Sequence, residues 1–524
     1  MPSNFFNDEQ LFEWLQVCRT LQCLKELTRQ GSVASGLSRA DSDSIAAHTC
    51  LVGIISLLMA WSLKKHDALD IDPSHVASLA LVHDLSSAIL GDINSEVKHH
   101  YFPEYQKGER LAFIDLVGEL QGTNELLKLY DESKACLTTS AKIVRFADGL
   151  DAWLEVVPRA SLAWMQQHKD YRDRIYLGLK GDEVYGDMLA ETFLQVCRVL
   201  ELHAIGPKRP SMPSSGDYEK DILAKLDGLI LGSKELVELL EAYQTSQRLK
   251  RMTRQGFIAA GGFNRWDTDS IADHVGLVAL MSFTLATELA QLEGSEIEPS
   301  HVAAMALIHD IGEAILGDVN SETKHRYFVD YGRSEQMAVK DLLGGISGCR
   351  PVLELYDEFD RCETTAAKIV RFADSLDAWQ RVTARPSGTW MPQHIEYRNR
   401  TFRKLKGDKN YGDALAELFL RACLVVQGQP VGPKRSVSRS DEKSRRFTSQ
   451  VVSEIGQRIN ELHNRQQTLR KLLEQNPEQA DIQSLARQED ALSTALDEAM
   501  QALSELRERL AQLEAKEIKN ARPE

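Results

Sequence analysis

The chain has 524 residues, enough for roughly three domains that each bury a core of their own. Its formal net charge is -15, which repels a phosphate backbone and argues against long nucleic acid as a partner. Eight cysteines form no CxxC pair, which fits small buried residues in a reducing compartment, and the opening MPSNFFNDEQ lacks a basic-then-apolar leader, so a cytoplasmic location is expected.

The first apolar stretch, Leu51 to Leu63, is too short for a membrane span, which needs about 20 residues. It is expected to be a core helix, with no membrane as partner. Val76, Leu79 and Ala80 then recur at steps of three and four, and His83 falls on the same inward face. Gly91 follows an apolar run, where a helix would stop. Downstream come KIVRFAD (Lys142 to Asp148) and two cysteines, Cys136 and Cys197, whose positions are matched later by Cys362 and Cys423; all four are expected to be small buried core residues. Pro210 to Gly216 is rich in Pro, Ser and Gly and reads as a linker.

Beyond that linker the pattern starts again. KIVRFAD returns as Lys368 to Asp374, and Ile315 to Phe328 matches Ile89 to Phe102 at 11 of 14 positions. The offset is 226 from Gly36 to Arg209, and slips by one upstream, where Thr28-Arg29-Gln30-Gly31 meets Thr253-Arg254-Gln255-Gly256. So long a period points to a duplicated domain; solenoid repeats run about 20–50 residues. The expected domains are 1–210, 217–438 and a tail over 441–519.

The tail has apolar residues at heptad-like steps, from Val452 to Leu473 and from Leu492 to Leu513, broken by Asn476-Pro477. It is expected to fold as an antiparallel helical hairpin or coiled coil, and to support homo-oligomerisation or a protein partner. No alternating strand pattern stands out. The expected class is therefore all-α: two tandem helical domains, then the hairpin.

Both domains carry metal-ligand residue types at one spacing. The first has His48, His83, Asp84 and Asp148, the second His274, His309, Asp310 and Asp374. Mixed imidazole and carboxylate ligands suit a divalent ion such as Mn, Co, Fe, Mg or Zn without choosing among them. Such an ion lowers the pKa of a water and steadies charge on a phosphoryl oxygen. A carboxylate that is not a ligand can then orient the water or move its proton. Glu313 is placed for that within the same expected helix as His309 and Asp310, and Asp318 is a second candidate. The first domain has Ser87 where the second has Glu313.

The order His, His-Asp, distant Asp resembles the HD superfamily of metal-dependent phosphohydrolases. HDIGEAILGD (His309 to Asp318), the later Lys324-His325 pair and KIVRFAD resemble its 5'-deoxynucleotidase branch. The resemblance implies an all-helical fold and phosphate removal from deoxyribonucleoside 5'-monophosphates with a divalent metal, Mn, Co or Mg first and Fe, Ni or Zn as alternatives. It makes the eight His and Asp residues ligands, Glu313 the group that handles water, and Asp318 a helper in proton transfer or a holder of the leaving group. It makes Arg254 the phosphate contact, with Arg265 as competitor and Lys324 also at the substrate. Phe257 stands where the family often has a ribose-excluding Trp, and Trp266 lies nearer His274. Deoxynucleoside triphosphate hydrolases share the ligand set and would leave one domain as a sensor. Cyclic-dinucleotide phosphodiesterases have Lys where Glu313 stands, and a Gly-Tyr-Pro element that is missing here. A non-catalytic nucleotide-sensing scaffold is the remaining alternative. The first domain, with Ser87, is expected to keep its metal pocket and to have lost the chemistry.

Overall fold

The computed structural model describes residues 6–65, 71–159, 162–181, 185–202, 205, 207–208, 222–259, 268–328, 330–346, 348–384, 391–428 and 433–434. The Pro210 to Gly216 linker, Arg265, Trp266 and the 441–519 tail lie outside these residues. Among the described residues the structure is helical, as expected, with no strand. Isolated backbone bridges join Thr28 to Ser44, Thr253 to Ser270 and Asp408 to Gly412.

Two 20-residue helices, Ile45–Lys64 and Ile271–Ala290, pack against each other at the centre. Each starts on a serine cap: Ser44 Oγ accepts the Ala47 N–H and Ser270 Oγ the Asp273 N–H, both at 3.0 Å. Loss of such a cap typically costs about 1 kcal/mol. The first helix is longer than its 13-residue apolar stretch suggested, because six residues from Ile45 to Cys50, His48 among them, extend it to the Ser44 cap. By length and composition both helices could cross a membrane, yet their apolar windows are 94% and 100% buried within the fold.

Pro73–Val82 and Pro299–Ile308 flank this pair. Val76 to Val82 and Val302 to Ile308 are buried on every side, so these helices lie inside the core and do not border it with one face. Thr139–Val156 and Thr365–Ala384 pack on the central helices and carry KIVRFAD. The central pair approaches closely at Gly276, where a Cβ would run into the Ala46 carbonyl oxygen. Cys136 differs from expectation in being only partly buried, while Cys362 is buried as expected; both end helices in the left-handed region, at φ 52° and 53°.

Residues 1–434 form one compact unit. Within it, each half (residues up to 209, and residues from 222) sends side chains into the other. Trp14 Nε1 donates to Thr284 Oγ1 at 3.1 Å, and the Lys434 N–H donates to Thr20 Oγ1 at 2.8 Å. Contacts in the reciprocal direction are present as well. The Lys208 N–H donates to Thr245 Oγ1 at 2.8 Å, and Gln195 Nε2 donates to the Lys225 carbonyl at 2.9 Å. The segment preceding each long helix thus lies against the opposite half.

Candidate metal and phosphate site

His309, Asp310 and Glu313 do not share one continuous helix. The helix ends at Ile308, residues 309–312 form a turn, and a short helix resumes over Glu313–Leu316. The cause is local. His309 Nδ1 donates to the Ala306 carbonyl at 2.7 Å, taking an acceptor that the next turn would use. The backbone then tightens to three-residue steps, with the Glu313 N–H donating to Asp310 O at 3.0 Å. The first half repeats this at His83, whose Nδ1 meets the Ala80 carbonyl at 2.6 Å. Gly91 and Gly317 end the short helices at φ 75° and 78°, where glycine was expected to stop them.

That bond commits Nδ1 and turns Nε2 inward. His274 is held likewise, its Nδ1 against Asp377 Oδ2 at 2.7 Å. The two rings lie 5.4 Å apart, and both Nε2 atoms are buried without a hydrogen-bond partner. Asp310 Oδ2 stands 3.6 Å from His274 Nε2 and 3.2 Å from His309 Nε2, and Asp374 Oδ1 stands 3.4 Å from His274 Nε2. Orphaned imidazole nitrogens facing carboxylate oxygens suit a cation. His274, His309 and Asp310 form a group able to hold a metal ion, and so do His48, His83 and Asp148. In the first half, Asp84 Oδ2 lies 3.9 and 3.4 Å from the two Nε2 atoms.

Supporting side chains hold these groups in place. Arg371 Nη1 donates to Asp374 Oδ2 at 3.1 Å and the Tyr397 hydroxyl reaches the same oxygen at 3.4 Å, leaving Oδ1 toward the histidines. Arg145 and Tyr171 do this for Asp148 at 3.0 and 3.5 Å. Asp151 is to His48 what Asp377 is to His274, at 2.6 Å. Sequence reading missed Arg145, Arg371, Asp151 and Asp377. The signal was present, because the Arg of KIVRFAD and the Asp three residues past its end recur in both halves.

Glu313 is buried beside Asp310. Burial and the charges of Asp310 and Asp318 push its carboxyl well above the usual range, against the pull of Lys324. Lys324 Nζ lies 3.5 Å from Glu313 Oε1 and 2.8 Å from Glu335 Oε1. In the first half Lys98 meets Glu109 at 3.6 Å, and Ser87 stands at the position of Glu313. Asp318 Oδ2 accepts the Gln255 N–H at 2.5 Å, and Asp92 Oδ2 accepts the Gln30 N–H at 2.6 Å. Each therefore ties the loop next to the arginine, Arg254 or Arg29, to the site.

The two arginines differ in company. Arg29 is within 3.7 to 3.8 Å of three carboxylates, Asp148, Asp151 and Glu155. Arg254 makes its ion pair with Asp377 at 3.3 Å, and Arg381 stands where the first half has Glu155. Phe257 is buried against Ala378 and Val382, with Arg254 over its ring at 4.8 Å. The first half also opens a cleft of about 610 Å³, lined by Arg29, Asp84, Lys98, Arg145, Asp148 and Tyr171 among others.

Two family models match the chain: "HD domain" over residues 246–410, and "5'-deoxynucleotidase YfbR-like" over residues 18–174. A 5'-deoxynucleotidase of Dictyostelium discoideum is 28% identical over 141 residues, which is 26% of this chain and 72% of that protein. A crystal structure of a Pyrococcus horikoshii protein shares 26% identity, covering 36% of this chain and 98% of the other, at a TM-score of 0.29. A conserved hypothetical protein of Pyrococcus furiosus shares 27%, covering 35% and 98%, at 0.30.

Proposed function

We propose that this chain is a metal-dependent phosphohydrolase acting on nucleotides, a reading the family matches support, and that its second half removes phosphate from deoxyribonucleoside 5'-monophosphates. His274, His309, Asp310 and Asp374 would hold a divalent ion, with Mn, Co or Mg as first candidates. When bound, the ion supplies water activation and a positive charge for the phosphoryl oxygens. Arg254 binds the phosphate and orients it. Glu313, buried beside Asp310, would as the carboxylate take the proton of the attacking water and pass it to the nucleoside 5'-oxygen as the P–O bond to that oxygen breaks. Lys324 holds the Glu313 side chain through Oε1, and Asp318 fixes the arginine loop. The observation that carries this reading is Glu313 beside a four-residue ligand set with two orphaned imidazole nitrogens.

We infer too that the halves are a tandem duplication, supported by the constant offset and the matching order of helices. The first half keeps its ligands, but Ser87 and the carboxylates around Arg29 leave it without proton handling and with a neutralised phosphate contact. It is read as a pocket that binds without turnover. A deoxynucleoside triphosphate hydrolase that senses nucleotide in the first half is the second reading, favoured by the retained cleft beside Lys98.

The experiment is product release from dNMPs, NMPs and dNTPs with Mn, Co and Mg. Orthophosphate from dNMPs supports the first reading, and tripolyphosphate from dNTPs the second. No release from any of them overturns both.

A further inference from the structure

The carboxylates that orient the first histidines are themselves held from across the molecule. Lys25 belongs to the first half by sequence, yet its Nζ lies 2.8 Å from Asp377 Oδ1 and 2.6 Å from Asp269 Oδ2 in the second. Lys250 belongs to the second half, yet its Nζ bonds Asp151 at 2.8 and 3.0 Å and also pairs with Asp43 in the first. All six side chains are nearly or fully buried.

We propose that Lys25 is a positioning residue for the second site, and Lys250 for the first, each acting in trans through the aspartate that orients a metal-binding histidine. The geometry gives the reason. Asp377 uses Oδ2 for His274 Nδ1 and Oδ1 for Lys25, so the ammonium fixes the carboxylate plane and with it the imidazole. Asp269 lies on the other side of the same ammonium, so two buried carboxylates share it. Removing it leaves both without that cation in a low-dielectric interior, and the side chains must move or take up water. His274 Nε2 then loses its aim toward the ligand cluster. Groups that support a ligand from behind commonly change metal affinity by about 10- to 100-fold.

Each crossing segment also touches both sites. Lys25 serves the second while Arg29, four residues on, lines the first; Lys250 serves the first while Arg254 lines the second. Neither half carries a complete site on its own stretch of chain.

The inference rests on the metal reading of the site, and its test separates the two. In full-length protein carrying His48→Ala, the second site is titrated with Co²⁺ and followed by visible d–d absorption. Lys25→Met is expected to weaken uptake by about tenfold or more, Lys25→Arg to restore most of it, and Lys250→Met to leave it unchanged. In an Asp377→Asn background, Lys25→Met is expected to shift affinity by less than about twofold, because it acts through that aspartate. This second pair decides the matter should Lys25→Met alone not fold. Equal affinity with and without Lys25→Met, or equal loss from Lys250→Met, overturns the inference. Absence of cobalt uptake by the unsubstituted chain overturns the metal reading itself, and the inference with it.

Discussion

Glu155 and Arg381 occupy matching positions 226 residues apart and carry opposite charge. Glu155 stands 3.7 Å from Arg29, while Arg381 reaches toward Glu26 at 3.5 Å and adds a positive charge on the Arg254 side. The reversal removes one carboxylate from the arginine's surroundings, while Asp269, Asp377, Asp318 and Asp374 still bear on Arg254. Arg254→Ala is expected to raise KM by roughly 10- to 100-fold, the range for losing a hydrogen bond to a charged group. Steady-state kinetics on the best substrate checks it; an unchanged KM removes Arg254 from the phosphate.

Glu313→Gln should lower kcat by about 10²-fold or more with metal still bound, the usual scale for a lost acid–base group. Turnover and metal content measured on one preparation decide it. Full activity in the variant would sink the assignment.

His309→Ala should remove metal from the second site and leave the first loaded, and His83→Ala should do the reverse. Both Nε2 atoms are buried and unpartnered, so neither has another evident use. Metal analysis per chain reads the result. Loss of both ions from a single substitution would mean that the sites do not load separately.

Gly276→Ala should destabilise the fold by about 1–3 kcal/mol, because the new methyl meets backbone of the facing helix and cannot be avoided by a side-chain rotation. Thermal melting checks this, and an unchanged midpoint would show that the helices slide apart freely.

Truncation near Arg439 should reduce the oligomeric state in light scattering, given the heptad steps from Val452 to Leu513. An unchanged state would confine the tail to local packing.

Much of the site could be read before any coordinates. His48, His83, Asp84 and Asp148 each recur at one offset, and four weak signals at fixed spacing outweigh any one of them. The all-helical class followed from steps of three and four. The break at His309 was not legible, because apolar periodicity does not register a side chain that takes a backbone acceptor three residues back. The support from Arg371 and Asp377 was legible only in part: their recurrence is visible in the letters, their target is not. Lys25 and Lys250 match across the slipped register, but spacing along a chain does not say which half a lysine faces.

The crossing of the two N-terminal segments changes how this chain should be cut and scanned. A fragment spanning 217–438 would contain every second-site ligand and still lack the Lys25 ammonium behind Asp377. Two separately expressed fragments would regain their function only by finding each other, as strands of a broken rope must be respliced before either bears weight. A scan that assigns each phenotype to the nearest motif would misfile residue 25, whose defect surfaces some 250 positions downstream, at His274.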